Sequence, residues 1–167
     1  MITSILILAL VTAQRLGELV LARRNTARLI AQGGVETGAA HYPLIVALHG
    51  AWLAGLFLLA WDRPVSWYWM GLFVVLQLGR VWVIASLGAR WTTRIITLPG
   101  DTLVRRGPYR FVSHPNYLVV AAEIAVLPLA FGLFGFAVVF TVLNAAVLAI
   151  RIRAEAGALR GPSHPRP

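Results

Sequence analysis

The feature that most constrains this chain is its set of long, nearly uncharged apolar runs: Ile2 to Leu21, Leu44 to Trp61, Trp67 to Leu87, and Asn116 to Arg153. Each approaches or exceeds the roughly 18 residues at which a helix crosses the hydrocarbon core of a bilayer. That core holds no water to satisfy backbone N–H and C=O groups, so each run must close its hydrogen bonds within itself as an α-helix. The last run, 38 residues long, carries Pro128, Gly132 and Gly135 near its middle. A helical hairpin needs about 40 residues, so this run reads as two spans, one of them short or tilted. The expected fold is an all-α integral membrane protein with five transmembrane helices. Composition agrees, with 59% hydrophobic and 13% charged residues and a mean hydropathy of +0.76. The first run lacks the basic flank and small-residue cleavage pattern of a signal peptide and reads as a retained helix. One domain is expected over residues 1–160, with GPSHPRP, residues 161–167, as a disordered tail.

The arginines set the orientation. Arg23, Arg24 and Arg28 follow the first span; Arg90, Arg94, Arg105, Arg106 and Arg110 lie between the third and fourth; Arg151, Arg153, Arg160 and Arg166 follow the fifth; and Arg63 falls on the opposite side. By the positive-inside rule the N-terminus is outside and the C-terminus cytoplasmic. The net charge of +9 is thus a topological signal, and its interleaving with spans argues against a nucleic-acid partner. All 15 basic residues are arginine, a bias that points to a GC-rich bacterial genome and so to an inner membrane. The absence of cysteine excludes disulfides, thiolate metal sites and cysteine nucleophiles. His41 and His49, eight apart with no third ligand, make a poor metal site, and no metal is expected.

Between the third and fourth spans lies GPYRFVSHPNY, Gly107 to Tyr117. Gly107-Pro108 is a turn signal, and Pro115 suits the first position of a helix, where its missing N–H costs nothing. His114 then stands at a helix N-terminus, whose unpaired N–H groups and partial positive charge suit an anionic group. The fifth span brings its C-terminal end to the same membrane face, with Arg151 and Glu155 one turn apart. A ligand bearing both an anionic and a cationic group fits such a pair of helix ends. An interfacial cap with an aromatic belt fits the same residues.

GPYRFVSHPNYL, followed a hairpin later by Arg151-Ile-Arg-Ala-Glu155-Ala-Gly-Ala-Leu159, resembles the isoprenylcysteine carboxyl methyltransferase family and, more broadly, the membrane phospholipid methyltransferases. The family pattern is GPY-x-x-x-RHP-x-Y, a helical hairpin, then R-x-x-x-EE-x-x-L. The likeness extends upstream through QRLGE (Gln14 to Glu18), RRN (Arg23 to Asn25), HYP (His41 to Pro43), His49 and RWTTRIITLPG (Arg90 to Gly100). It implies S-adenosylmethionine as cofactor, bound at the cytoplasmic ends of the last hairpin by Tyr109, His114, Pro115, Tyr117 and Glu155. Arg151 and Glu155 are the implied catalytic pair, Arg151 orienting Glu155 or the acceptor oxygen. The implied reaction is O-methylation of a lipophilic, membrane-embedded acceptor, at a prenylated carboxylate or at an enol or phenol such as bacterial relatives are thought to methylate. N-methylation of an amine-headed phospholipid, or a degenerate scaffold, are the alternatives. Two positions depart from the pattern: Ser113 stands for the expected Arg, and Ala156 for the second Glu, with Arg110 and Arg153 as neighbours able to substitute.

The remaining polar residues lie within apolar runs, where charge is expensive and faces the bundle interior. Arg15 and Glu18, three apart, form either a buried ion pair that fixes helix packing or an acceptor-orienting pair. Glu123, above the presumed cofactor site on the same helix, is a candidate acceptor contact or a partner of Arg80. His49 and Arg94 are the other candidate acceptor contacts. Trp61, Trp67, Trp69 and Trp91 read as interfacial anchors, and Asn144 as interhelical glue.

Overall fold

The computed structural model describes the backbone of residues 1–100 and 104–159, with side chains up to residue 155. The expected disordered tail, 161–167, lies outside the described residues. Five α-helices follow in chain order: α1 (Ile2–Ala31), α2 (Tyr42–Ala60), α3 (Trp67–Leu87), α4 (Pro115–Ala130) and α5 (Phe134–Leu159). Four helical segments are long and apolar enough to cross a membrane: Ile2–Ala31, Ala39–Ala60, Trp67–Arg90 and Phe134–Glu155. The chain is thus an integral membrane α protein. The helix that falls short is α4, whose 16 residues reach only about 24 Å at ~1.5 Å per residue. Pro115 starts it and Pro128 ends it: the carbonyl of Pro128 accepts from the N–H groups of both Phe131 and Leu133, each at 3.0 Å, and Gly132 turns the chain at φ +69°.

Among the described residues, the one non-helical pairing is an antiparallel ribbon of β1 (Val35–Thr37) and β2 (Ile95–Thr97), with Glu36 opposite Ile96. Strands of three residues are too short to show a period of two in a sequence, and the ribbon was not expected. It joins the α1–α2 connection to the segment after α3.

The two ends of the bundle differ. At one, the Ser4 hydroxyl donates to the carbonyl of Arg63 (2.6 Å) and the Ser66 N–H to that of Ala130 (2.8 Å), tying the start of α1, the α2–α3 turn and the α4–α5 turn together. The apolar core lies toward this end, with Leu8, Leu56, Phe73, Leu127 and Phe131 packed across the helices. Gly55 lets α2 approach α5: a Cβ there would sit 2.6 Å from the Phe136 ring. Outward side chains are apolar too, Leu58 being 76% and Val142 63% exposed, as suits contact with acyl chains. At the opposite end, Leu29 of α1, Leu87 of α3, the first turn of α4 and Glu155 of α5 face one common space.

Candidate functional site

The segment before α4 is shaped by one glycine. Gly107 has φ +58°, and a Cβ on it would lie 2.0 Å from the Ser86 Oγ, so both conformation and space require glycine. The flanking Arg106 Nε donates to the Ser86 carbonyl at 2.6 Å, which pins the turn to the last residues of α3. A one-turn 3₁₀ helix over Gly107–Arg110 then aims Tyr109 inward, and His114 caps α4 ahead of Pro115.

The start of α4 meets the end of α5. The Tyr117 hydroxyl donates to Glu155 Oε2 at 2.5 Å and accepts from Arg151 Nε at 2.8 Å. Arg151 Nη1 also donates to the Thr93 carbonyl at 2.8 Å. The His114 ring stacks on Tyr117 with centroids 5.1 Å apart, and its Nδ1 lies 3.8 Å from Glu155 Oε2, too far for a hydrogen bond. Burial, with a smaller contribution from the Glu155 charge, pushes the Tyr109 hydroxyl up to about 12, so it stays a neutral donor at any working pH.

These groups line a polar cavity of about 880 Å³, within the range of small-molecule sites. Its wall mixes Arg90, Arg94, Arg105 and Arg110 with Glu155 and the rings of Tyr109, His114 and Tyr117. A second cavity of about 290 Å³, mostly apolar, lies among α1, α2, α4 and α5, lined by Leu16, Ile45, His49, Leu53, Val120 and Val147 among others. Trp91, Thr92, Asn116, Tyr117 and Arg151 line both cavities. Among the described residues, two buried polar atoms at that junction, Trp91 Nε1 and Asn116 Oδ1, have no hydrogen-bond partner. A buried donor and a buried acceptor left without partners are each costly unless a ligand or water completes them. A ligand combining a carboxylate, a cation and an aromatic ring therefore fits the polar cavity: arginines for the first, Glu155 for the second, aromatic faces for the third.

Of the residues singled out from the sequence, Tyr109, His114, Tyr117, Arg151 and Glu155 come together on the polar cavity. Pro115 is buried at the first position of α4 and is not among the lining residues. His49 lines the apolar cavity. Arg94 lines the polar one, but its guanidinium is engaged twice by Glu36, at 2.8 and 3.0 Å. That carboxylate holds the Arg94 pKa above its ordinary value. Glu123, 1% exposed, lines neither cavity; it accepts from Arg15 (2.8 Å), Arg80 (3.0 Å) and Gln77 (2.8 Å), so the pairing with Arg80 is the arrangement found. At the two departures from the family pattern, Ser113 lines the polar cavity beside Arg110, and the Ala156 side chain lies outside the described residues.

Trp91 corrects the sequence reading. It is 2% exposed, a wall of both cavities rather than an interfacial anchor. Asn25, itself buried, holds it there by donating to the carbonyls of Trp91 (2.8 Å) and Gly88 (3.2 Å). Asn116 and Thr93 were likewise missed; the position of Asn116 inside the HPNY stretch was the available signal. Asn144, buried on α5, lines the apolar cavity.

Residues 69–161 match the model of the isoprenylcysteine carboxyl methyltransferase family. The uncharacterized protein YpbQ of Bacillus subtilis (strain 168) is 40% identical over 161 residues, covering 93% of this chain and 95% of that protein. No solved structure matches.

Proposed function

This chain belongs to the isoprenylcysteine carboxyl methyltransferase family, and from that premise we propose that it is an S-adenosylmethionine-dependent O-methyltransferase of a lipophilic acceptor drawn from the membrane. The observation that carries the reading is the junction of the two cavities at Tyr117 and Arg151, one cavity suited to a charged nucleotide and the other to an alkyl chain. The cofactor, when bound, supplies a methyl group on a sulfonium, already activated toward an incoming oxygen.

The protein's part is alignment and charge. Glu155, held by the Tyr117 hydroxyl, supplies a carboxylate for the cationic part of the cofactor. Arg90, Arg105 and Arg110 offer the cofactor's carboxylate a cationic wall, Arg110 standing in for the arginine that Ser113 replaces. Arg151, fixed by Tyr117 and the Thr93 carbonyl, sits where the acceptor oxygen would enter from the apolar side. Holding donor and acceptor end to end in this way is worth several kcal/mol of barrier by itself. Under this reading α4 is a short fifth span, the N-terminus is outside, and the site faces the cytoplasm of a bacterial inner membrane, the arginine-rich end being inside.

Purified protein given methyl-labelled S-adenosylmethionine and a lipid extract should transfer label to an extractable product. Base-labile label would identify an ester, and base-stable label an ether or an N-methyl group. Well-folded protein that fails to bind S-adenosylhomocysteine by calorimetry would refute the reading.

A further inference from the structure

The apolar cavity contains a basic nitrogen that the fold leaves unused. His49, on α2, lines that cavity, and its Nδ1 lies 2.9 Å from the carbonyl oxygen of Ile45, one turn earlier. A carbonyl can only accept, so Nδ1 carries the proton and the neutral ring presents Nε2 as a bare lone pair. Among the described residues Nε2 has no hydrogen-bond partner.

The charged and titratable groups sharing the cavity are Arg15 and Glu18 from α1, Tyr42 from α2, Arg80 from α3, Tyr117 from α4 and Arg151 from α5. Glu18 is bound by Arg15 and Arg80, and the Tyr117 hydroxyl by Glu155 and Arg151. Among the described residues, the imidazole Nε2 is therefore the neutral nitrogen base that lines this cavity without a partner. The guanidinium of Arg151, at the junction of the two cavities, favours an oxygen acquiring negative charge.

We infer that His49 Nε2 is the proton acceptor for a weakly acidic hydroxyl, a phenol or an enol, on the acceptor lodged in the apolar cavity; this rests on the methyltransferase reading above. As the O–H proton passes to Nε2, the oxygen's electron pair forms the O–CH₃ bond and the methyl–sulfur bond breaks, its electrons returning to sulfur. The imidazolium then releases its proton to water as the product leaves. A carboxylate acceptor, ionised already at neutral pH, needs no such base, whereas a phenol of pKa about 10 does. His49 thus selects the acceptor class.

The test uses full-length protein in nanodiscs and a nitrophenol carrying a long alkyl chain, whose phenolate absorbs where the phenol does not. Without any methyl donor, wild-type protein should bind the probe as phenolate at a pH about one unit or more below that required in empty nanodiscs. His49→Gln and His49→Phe should lose that shift while still binding S-adenosylhomocysteine, which certifies their fold. In turnover on a long-chain phenol, His49→Gln should be slower by about 100-fold or more, with a rate that climbs with hydroxide where the wild-type profile is flat. Variants that ionise the probe as the wild type does would assign the effect to the arginines and overturn the inference. So would a wild type that binds S-adenosylhomocysteine yet leaves the probe unshifted. Failure of the wild type to bind S-adenosylhomocysteine would instead bring down the methyltransferase reading itself.

Discussion

Two clusters of ionisable groups sit in this bundle, and they differ in how far they are satisfied. The first, between α1, α3 and α4, joins Gln14, Arg15, Glu18, Gln77, Arg80 and Glu123. Arg80 grips Glu18 through two bonds of 2.6 Å and reaches Glu123 at 3.0 Å, and Gln14 bridges Glu18 and Gln77 at 3.0 and 2.7 Å. Two positive and two negative charges cancel. The second, at the meeting of α4 and α5, joins His114, Tyr117, Arg151 and Glu155. There the His114–Glu155 approach stops at 3.8 Å, two neighbouring polar atoms are orphaned, and the groups face an 880 Å³ cavity. A saturated cluster has its interaction energy committed to holding helices together; an unsaturated one has valence left for a ligand. The same residue types thus hold helices together in one place and line a cavity with bonding capacity to spare in the other.

The sharpest way to break this contrast is to remove a member of each cluster and read both stability and binding. Glu123→Ala leaves Glu18 alone against Arg15 and Arg80, with one positive charge in excess in the bundle interior. Breaking a buried pair from one side costs about 3–5 kcal/mol, so its denaturant midpoint should fall steeply, while the folded fraction binds S-adenosylhomocysteine within about threefold of wild type. A variant that kept its stability and lost binding would move Glu123 into the site. Glu155→Ala should do the reverse. It removes the cavity's carboxylate, and losing a charge-assisted contact of ~2–3 kcal/mol predicts binding about 100-fold weaker. The midpoint should hardly move, because Glu155 lies at a partly open cavity wall. Equal losses of stability from both substitutions would erase the distinction.

The contrast also explains what could be read in advance. Tyr109 and Tyr117 were named through the family motif they belong to, whereas His114, Arg151 and Glu155 could be singled out because their setting is local, a helix start and a one-turn spacing on a helix end. The apolar runs gave the helices for the same reason, since lipid leaves the backbone no alternative. Glu123 was ambiguous because its role depends on partners from α1 and α3, whose register no periodicity reports. Trp91 was misread because a tryptophan just past a span is the same letter whether it points to the interface or inward; Asn25, 66 residues away in sequence, decides it. The apolar cavity was invisible as such, being the space left over when four ordinary helix faces fail to close.

Arg94 falls between the two clusters and gives the mildest test. It lines the polar cavity as an unsaturated group would, yet its guanidinium is shared between Glu36 and the face of Tyr42, 4.7 Å from the ring centroid. Because this pair is 41% and 22% exposed on its side chains, solvent and salt screen it, and such pairs contribute about 0–1 kcal/mol. Glu36→Gln should therefore change stability by less than about 1 kcal/mol. If Arg94 is held away from the ligand by Glu36, releasing it should tighten S-adenosylhomocysteine binding slightly, by no more than about threefold, and the gain should vanish at high ionic strength. If Glu36 instead aims Arg94 at the ligand through the β1–β2 ribbon, binding should weaken by a similar factor. The sign of so small a change tells whether the ribbon's ion pair belongs with the saturated cluster or the open one, and a salt titration separates it from a change in fold.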